Sequence, residues 1–300
     1  MNTLRSGTIA IIGRPNVGKS TLMNYILGKK VSITSRKPQT TRHRILGIKT
    51  TDAAQMIFVD TPGLHLHFSH EMNRMMNRMM NRAAKSAVQD VDVIMVMIEA
   101  LRWNADDDFV MKQLQSLEIP IILVINKIDE IKNKADLLPF MENLAKQFSF
   151  QKMIPVSAKT GLQVDELEKT LIDLLPHEGE LFSPDQITDR SDRFIVTEFV
   201  REELMRLLGD EIPYELTVTV DLFEENKNII KVAVVIWVAK EGQKGIVIGA
   251  KGAMLKKVGT QARKDLERYF DKKVLLKLWV KVRENWSDDL KALKEFGLDQ

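Results

Sequence analysis

Apolar positions fall into two patterns, and the change between them divides the chain. From residue 8 to 176, short runs of β-branched and aliphatic residues alternate with stretches of helical spacing. Thr8–Ile12, Met56–Asp60, Val91–Ile98, Ile121–Asn126 and Met153–Ser157 are near-continuous apolar runs, as strands buried on both faces require. Between them, 20–27, 72–88, 106–117, 135–148 and 164–175 repeat apolar residues with helical period. Such alternation predicts a mostly parallel, doubly wound α/β sheet that binds ligands beyond the carboxyl ends of its strands.

Pro176 ends the last of these helices, and 177–192 has Gly, Pro and charges without a period, so it reads as a linker. The pattern beyond differs. An amphipathic helix is expected over 193–208, then strands over 215–223 and 229–238 joined by a turn at Glu225-Asn226-Lys227-Asn228. A Gly-rich turn, a helix over 253–269, a strand over 274–282 and a last segment with Leu290, Leu293 and Phe296 on one face complete an α+β domain at 193–300.

Composition narrows the classes. Hydrophobic residues at 44% and charged ones at 28% suit a packed globular chain. Cysteine is absent, which excludes disulfides and thiolate metal sites. No run approaches the roughly 20 apolar residues of a membrane span, and the N-terminal run is broken too soon by Gly13 for a secretory signal. A cytoplasmic location is expected. The net charge is +3, yet residues 240–284 alone carry 13 Lys or Arg against 5 Asp or Glu, which points that segment toward a polyanion.

The chemistry lies at the strand ends. Gly13-Arg14-Pro15-Asn16-Val17-Gly18-Lys19-Ser20, followed by Thr21, leaves a strand and opens a helix. In a G-x-x-x-x-G-K-S loop, backbone amides and the helix N-terminus hold phosphates, Lys19 reaches the outer ones and Ser20 offers a hydroxyl to Mg²⁺. Asn126-Lys127-Ile128-Asp129 ends a strand on the same edge. A carboxylate there accepts from both N1–H and the exocyclic amine of guanine, donors that adenine lacks. Asp60-Thr61-Pro62-Gly63 supplies an acid for Mg²⁺ and an amide for a γ-phosphate. Leu64 follows, where a glutamine would orient water, and leucine cannot. Ser157-Ala158-Lys159 ends the last strand of the set.

The four motifs in this order resemble the translation-factor-related branch of P-loop GTPases. That resemblance implies that Ser157, Ala158 and Lys159 support the base. It also implies a switch threonine for Mg²⁺ at Thr40 or Thr41, with Thr41 preferred. Asn16 resembles an asparagine that holds K⁺ in some of these enzymes, an expectation of slow turnover stimulated by K⁺. Lys19, Asn16, Thr41 and Gly63 are the candidate catalytic residues, and Ser20, Thr41 and Asp60 the candidate metal ligands.

In the second domain, Gly249-Ala250-Lys251-Gly252 precedes a helix with Lys256, Lys257, Arg263, Lys264 and Arg268. The arrangement resembles a KH domain of the bacterial type (type II), whose G-x-x-G loop clamps about four single-stranded nucleotides. Gly249–Gly252, Lys256, Lys257 and Arg263 are the candidate RNA contacts. GTPase motifs followed by this module resemble the Era family of GTPases over essentially the whole chain, with Gln39–Arg44 and Gly242–Gly252 similar to its signature stretches. The resemblance implies binding to the single-stranded 3′ end of small-subunit ribosomal RNA and a role in 30S assembly. No DNA partner is expected, and the basic helix offers a third reading, a location in part at the inner-membrane surface. A module in which GTP gates RNA binding and hydrolysis is incidental is the alternative.

Some features stand outside this scheme. Met72–Arg82 repeats Met-Asn-Arg units in tandem, about one helical turn longer than the family pattern, with a Met stripe expected to pack in a core. His65, His67 and His70 lack a convincing fourth ligand for zinc. Trp237 and Trp279 are expected in the core, Trp286 nearer an edge, and Trp103 near the nucleotide edge.

Overall fold

The computed structural model describes residues 4–37, 40–63, 90–115, 117–209 and 212–296. Leu64, the three histidines and the Met-Asn-Arg repeat lie outside them. Two compact units emerge. One comprises the described residues up to Ser32, then from Thr41 to Asp189; the other comprises the segment from Ile33 to Thr40 and the chain from Arg190 onward.

The first unit has a six-stranded sheet of order β2-β3-β1-β4-β5-β6. Its strands are β1 (Arg5–Ile12), β2 (Ile45–Thr50), β3 (Ala54–Asp60), β4 (Val93–Glu99), β5 (Ile121–Asn126) and β6 (Lys152–Pro155). All neighbours pair parallel except β2, which runs antiparallel to β3. Strand β2 escapes the reading from pattern because Gly47 and Lys49 interrupt its apolar run, which suits an edge position. Every residue of β3 and β4 is buried. Four helices are described: α1 (Lys19–Leu27), α2 (Ala105–Leu114), α3 (Leu137–Gln147) and α4 (Val164–Leu174). Ile94, Val96 and Ile98 share a core with Val110, Met111 and Leu114 of α2 and Leu144 of α3.

The stretch read as linker is fastened along this unit as far as Asp189. Gln55 accepts from the amides of Leu181 and Phe182, both at 2.8 Å, and donates to the Phe182 carbonyl at 2.8 Å. Ile187 O accepts from Ile48 N at 2.8 Å, and Thr188 Oγ1 donates to Leu46 O at 2.7 Å.

The second unit has a three-stranded sheet of order β7 (Leu216–Glu225), β8 (Ile229–Val238), β9 (Lys273–Val282). Strands β7 and β8 are antiparallel, β8 and β9 parallel. Even-numbered residues of β8 and β9 enter a core with α5 (Asp192–Leu207) and α7 (Ala253–Phe270), where Phe199 meets Tyr269 edge-on at 5.6 Å. The segment expected as a Gly-rich turn contains a helix, α6 (Glu241–Ile248). Gln243 accepts from the amides of Ala239 and Lys240 at 2.9 and 3.0 Å, and buried Val247 anchors the helix. That capping and burial outweigh the roughly 1 kcal/mol cost of each interior glycine.

Helix α5 departs from the amphipathic expectation. Its polar residues Glu198, Arg201, Glu202 and Glu203 are buried, because the segment from Ile33 to Thr40 lies along them. Glu202 Oε1 accepts from Thr34 N at 3.0 Å, Arg201 donates to Thr40 O, and Lys37 Nζ reaches Leu208 O at 2.6 Å. Ile33 joins the hydrophobic core of this unit.

Three tryptophans are placed otherwise than expected: Trp237, expected in the core, is half-buried on the face of β8 turned away from the helices. Trp286 is fully buried, with Nε1 donating to Glu215 O at 3.2 Å, whereas Trp279 is 46% exposed.

Candidate functional site

The loop from Gly13 to Gly18 joins β1 to α1. Gly18 has φ 105°, and a Cβ there would collide with the Asn126 side chain; a Cβ on Gly13, at φ 155°, would strike the Met97 carbonyl. Both positions need glycine for space and backbone conformation. Asn16 also takes a left-handed φ of 64° and is exposed. Lys19 folds over the loop, donating to Gly13 O at 2.9 Å and Arg14 O at 3.0 Å. Burial lowers its pKa to about 8, with Asp60 raising it and Arg14 lowering it further.

Asp60, at the end of β3, accepts from the hydroxyls of two segments, and a third hydroxyl joins through Ser20. Its Oδ2 accepts from Ser20 Oγ at 2.6 Å and Ser32 Oγ at 2.8 Å, and Thr41 Oγ1 lies 3.0 Å from Ser20 Oγ. Oδ1 is buried with no hydrogen-bond partner, so a carboxylate oxygen is withdrawn from water without compensation. Desolvation raises the Asp60 pKa, against the lowering effects of Ser20, Lys19 and Ser32. Thr40 turns elsewhere: its hydroxyl bonds Lys37 O at 2.6 Å and Ser35 at 2.7 Å. Thr61 Oγ1 donates to Ile11 O at 2.9 Å. Gly63 passes so close to the phosphate loop that a Cβ would lie 2.7 Å from Pro15 N.

Asn126, 2% exposed, links three loops: Nδ2 donates to Val17 O at 2.7 Å, and Oδ1 accepts from Ala158 N at 2.9 Å. Ser157 Oγ donates to Asp129 Oδ1 at 2.6 Å, leaving exposed Asp129 oriented at the rim. Lys127, left-handed at φ 68°, reaches Glu99 at 2.9 Å.

Glu99 is a residue that sequence reasoning missed. It meets Lys127, Arg102 at 2.7 Å and Arg14 at 3.6 Å. Burial raises its pKa, but the Lys127 hydrogen bond and the three cations outweigh that, so it lies below its ordinary value. Its only signal in the sequence is an acid ending an apolar strand. Arg14 is also held by Asp107 at 3.1 Å. Trp103 is tied back, donating to Asp108 at 2.8 Å and meeting Phe148 at 5.4 Å.

In the second unit, Gly249 (φ 71°), Lys251 (φ 50°) and Gly252 (φ 77°) form the left-handed turn between α6 and α7. Ala250, Lys251, Lys256 and Lys257 are exposed, whereas Arg263 is engaged by Glu267 at 3.1 Å.

Two family models match, one for the 50S ribosome-binding GTPases over residues 8–127 and one for the KH domain over residues 211–287. GTPase Era of Coxiella burnetii (strain Dugway 5J108-111) is 54% identical over 294 residues, covering 98% of each chain. The chain belongs to the Era family of GTPases. Another member, from Haemophilus influenzae (strain PittGG), is 52% identical over 292 residues, covering 97% of this chain and 95% of its own. Two solved Era structures match with TM-score 0.93 and 38% identity, covering 99% of this chain and 100% of theirs. One is a complex with MgGDPNP and nucleotides 1506–1542 of 16S ribosomal RNA; the other is an Aquifex aeolicus variant bound to GDP·AlF4⁻. Membership in the Era family accounts for both glycine loops on one chain.

Proposed function

We propose that the first unit binds GTP with Mg²⁺ and hydrolyses it slowly. In this reading, nucleotide state gates the second unit's hold on the single-stranded 3′ end of small-subunit ribosomal RNA during 30S assembly. One observation carries it: Asn126 joins the phosphate loop at Val17 to the base-side loop at Ala158, so phosphate and base positions belong to one hydrogen-bonded frame. The amides from Gly13 to Thr21 and the Lys19 ammonium hold the phosphates, and Asp129, backed by Ser157, Ala158 and Lys159, holds guanine.

The residues around Asp60 fit a hard divalent cation. They offer only oxygen, and one buried carboxylate oxygen lacks a partner. Ser20, Thr41 and Asp60 would hold Mg²⁺, which when bound neutralises charge on the transferred phosphoryl group. Lys19 then exchanges the Gly13 and Arg14 carbonyls for phosphate oxygens, and the Gly63 amide faces the γ-phosphate. Asn16, exposed on the loop, would hold K⁺, which when bound would supply positive charge beside the phosphates.

In the second unit, Gly249, Ala250, Lys251 and Gly252 clamp RNA backbone, with Lys256 and Lys257 adding charge; Arg263 joins them once released from Glu267. Domain limits of 1–176 and 193–300, joined by 177–192, belong to this proposal. Contact of the basic face of α7 with a membrane surface is its outermost element, checked by liposome flotation. Among the described residues no helix is long and apolar enough to cross a membrane.

Asp129→Asn tests the base assignment: preference should pass from GTP to xanthosine triphosphate, and retained GTP preference refutes it. Single-turnover hydrolysis in K⁺ and Na⁺, with and without RNA, tests the rest. Stimulation by K⁺ and by RNA is expected, and RNA-independent rates would favour the gate in which hydrolysis is incidental.

A further inference from the structure

The three-stranded sheet has one face against α5 and α7 and another turned away from them. Even-numbered residues of β8 and β9 fill the core, so the odd-numbered ones stand on the open face. On β9 these are Lys273, Leu275, Lys277, Trp279 and Lys281, all exposed; Leu275 is 45% and Trp279 46% accessible. Strand β8 adds Ala233, Val235 and Trp237 in register with Lys277, Trp279 and Lys281. Trp237 is fixed there, with Nε1 donating to Thr219 Oγ1 at 2.9 Å, its ring 5.6 Å from Phe296 and Lys281 Nζ 5.6 Å from its centroid. Val235, 3% exposed, forms a floor beside Trp279.

Trp279 leaves nearly half of its surface in water, so burial in this chain does not explain an indole there. Among the described residues no carboxylate engages Lys273, Lys277 or Lys281. The face thus alternates cation and apolar side chain over about 26 Å of strand, one outward side chain every ~7 Å. Protein interfaces deplete lysine around their aromatic anchors, because each ammonium must be desolvated. Single-stranded nucleic acid asks for this alternation: π-faces for bases and cations for the intervening phosphates.

We propose that this open face is a second single-stranded RNA contact, in which a base stacks on Trp279 and Lys277 and Lys281 hold the adjoining phosphates. It rests on the RNA-binding reading above and is separate from the turn at Gly249–Gly252, since that turn joins the two helices α6 and α7. An RNA long enough to reach both surfaces gains affinity that a short one lacks.

The test uses the full chain and two fluorescein-labelled RNAs of A and C only, one of about 8 and one of about 24 nucleotides, followed by anisotropy. Trp279→Ala should weaken the long RNA about tenfold and leave the short one within about twofold. Trp279→Phe should restore most of the loss. Lys277→Glu with Lys281→Glu should also weaken the long RNA and flatten its salt dependence by roughly 1.5 in log–log slope. Unchanged GTP affinity and circular dichroism verify folding. Equal loss on both RNAs, or no loss on the long one, overturns the proposal. In that case Gly252→Asp still weakens both RNAs if the glycine-loop reading holds. Wild-type chain that binds neither RNA removes that reading and this proposal together.

Discussion

Lys19 connects nucleotide binding to pH in a way that can be measured directly. The residue is 6% exposed and, in the chain without nucleotide, its ammonium has a pKa of about 8 rather than 10.5. Phosphate charge beside it must raise that pKa, so binding takes up a proton wherever the free chain has lost one. At pH 8.5 about three-quarters of free Lys19 is neutral, which corresponds to uptake of roughly 0.8 proton and an affinity about fourfold below that at pH 7. The sign for folding is also set. Between pH 8 and 10.5 the unfolded chain binds more protons than the folded one, so stability without nucleotide rises with pH across that window. The full excursion is on the order of 3 kcal/mol, and bound GDP should suppress it. Calorimetric titration of GDP in two buffers of different ionisation enthalpy, from pH 7 to 8.5, reads the uptake. Affinity flat over this range with no proton taken up would refute the buried, desolvated Lys19.

Other substitutions probe the frame around it. Gly18→Ala should abolish nucleotide binding and lower the unfolding midpoint, since its Cβ meets Asn126 at a φ of 105°. Asn126→Ala leaves Val17 O and Ala158 N without their partner and should cost about 3 kcal/mol in denaturant unfolding, with GDP affinity falling in parallel. Arg201→Ala removes a bidentate partner of buried Glu198, at 2.7 Å to each oxygen, together with the bond to Thr40 O. A loss of about 3 kcal/mol is expected, read by the urea midpoint, and Glu198→Gln in the same chain should recover part of it.

The two-unit plan, the sheet edge that carries the nucleotide motifs and the G-x-x-G turn were legible from the chain alone. Each depends on neighbours in sequence: a buried strand announces itself by its own apolar run, and a phosphate loop by glycines a few positions apart. Asp60 and Ser20 could be nominated one by one for the same reason, whereas Thr41 rested on the family resemblance. Tertiary structure decided what depends on distant partners. It separated Thr41, beside Ser20, from Thr40, which turns to Lys37. It made Glu99 the anion shared by Arg14, Arg102 and Lys127, residues far apart in the chain. It buried the polar face of α5 under the segment from Ile33 to Thr40, which no helical period could foretell. Trp279 and Trp286 show the same limit. The apolar run around Trp279 predicts a core position, and the polar neighbours of Trp286 predict a place nearer an edge. Whether Trp279 fills a core or faces water depends on which side of the sheet residues 192–207 and 253–270 cover, and Trp286 is buried by Glu215 and Phe296, which only the packed chain brings to it.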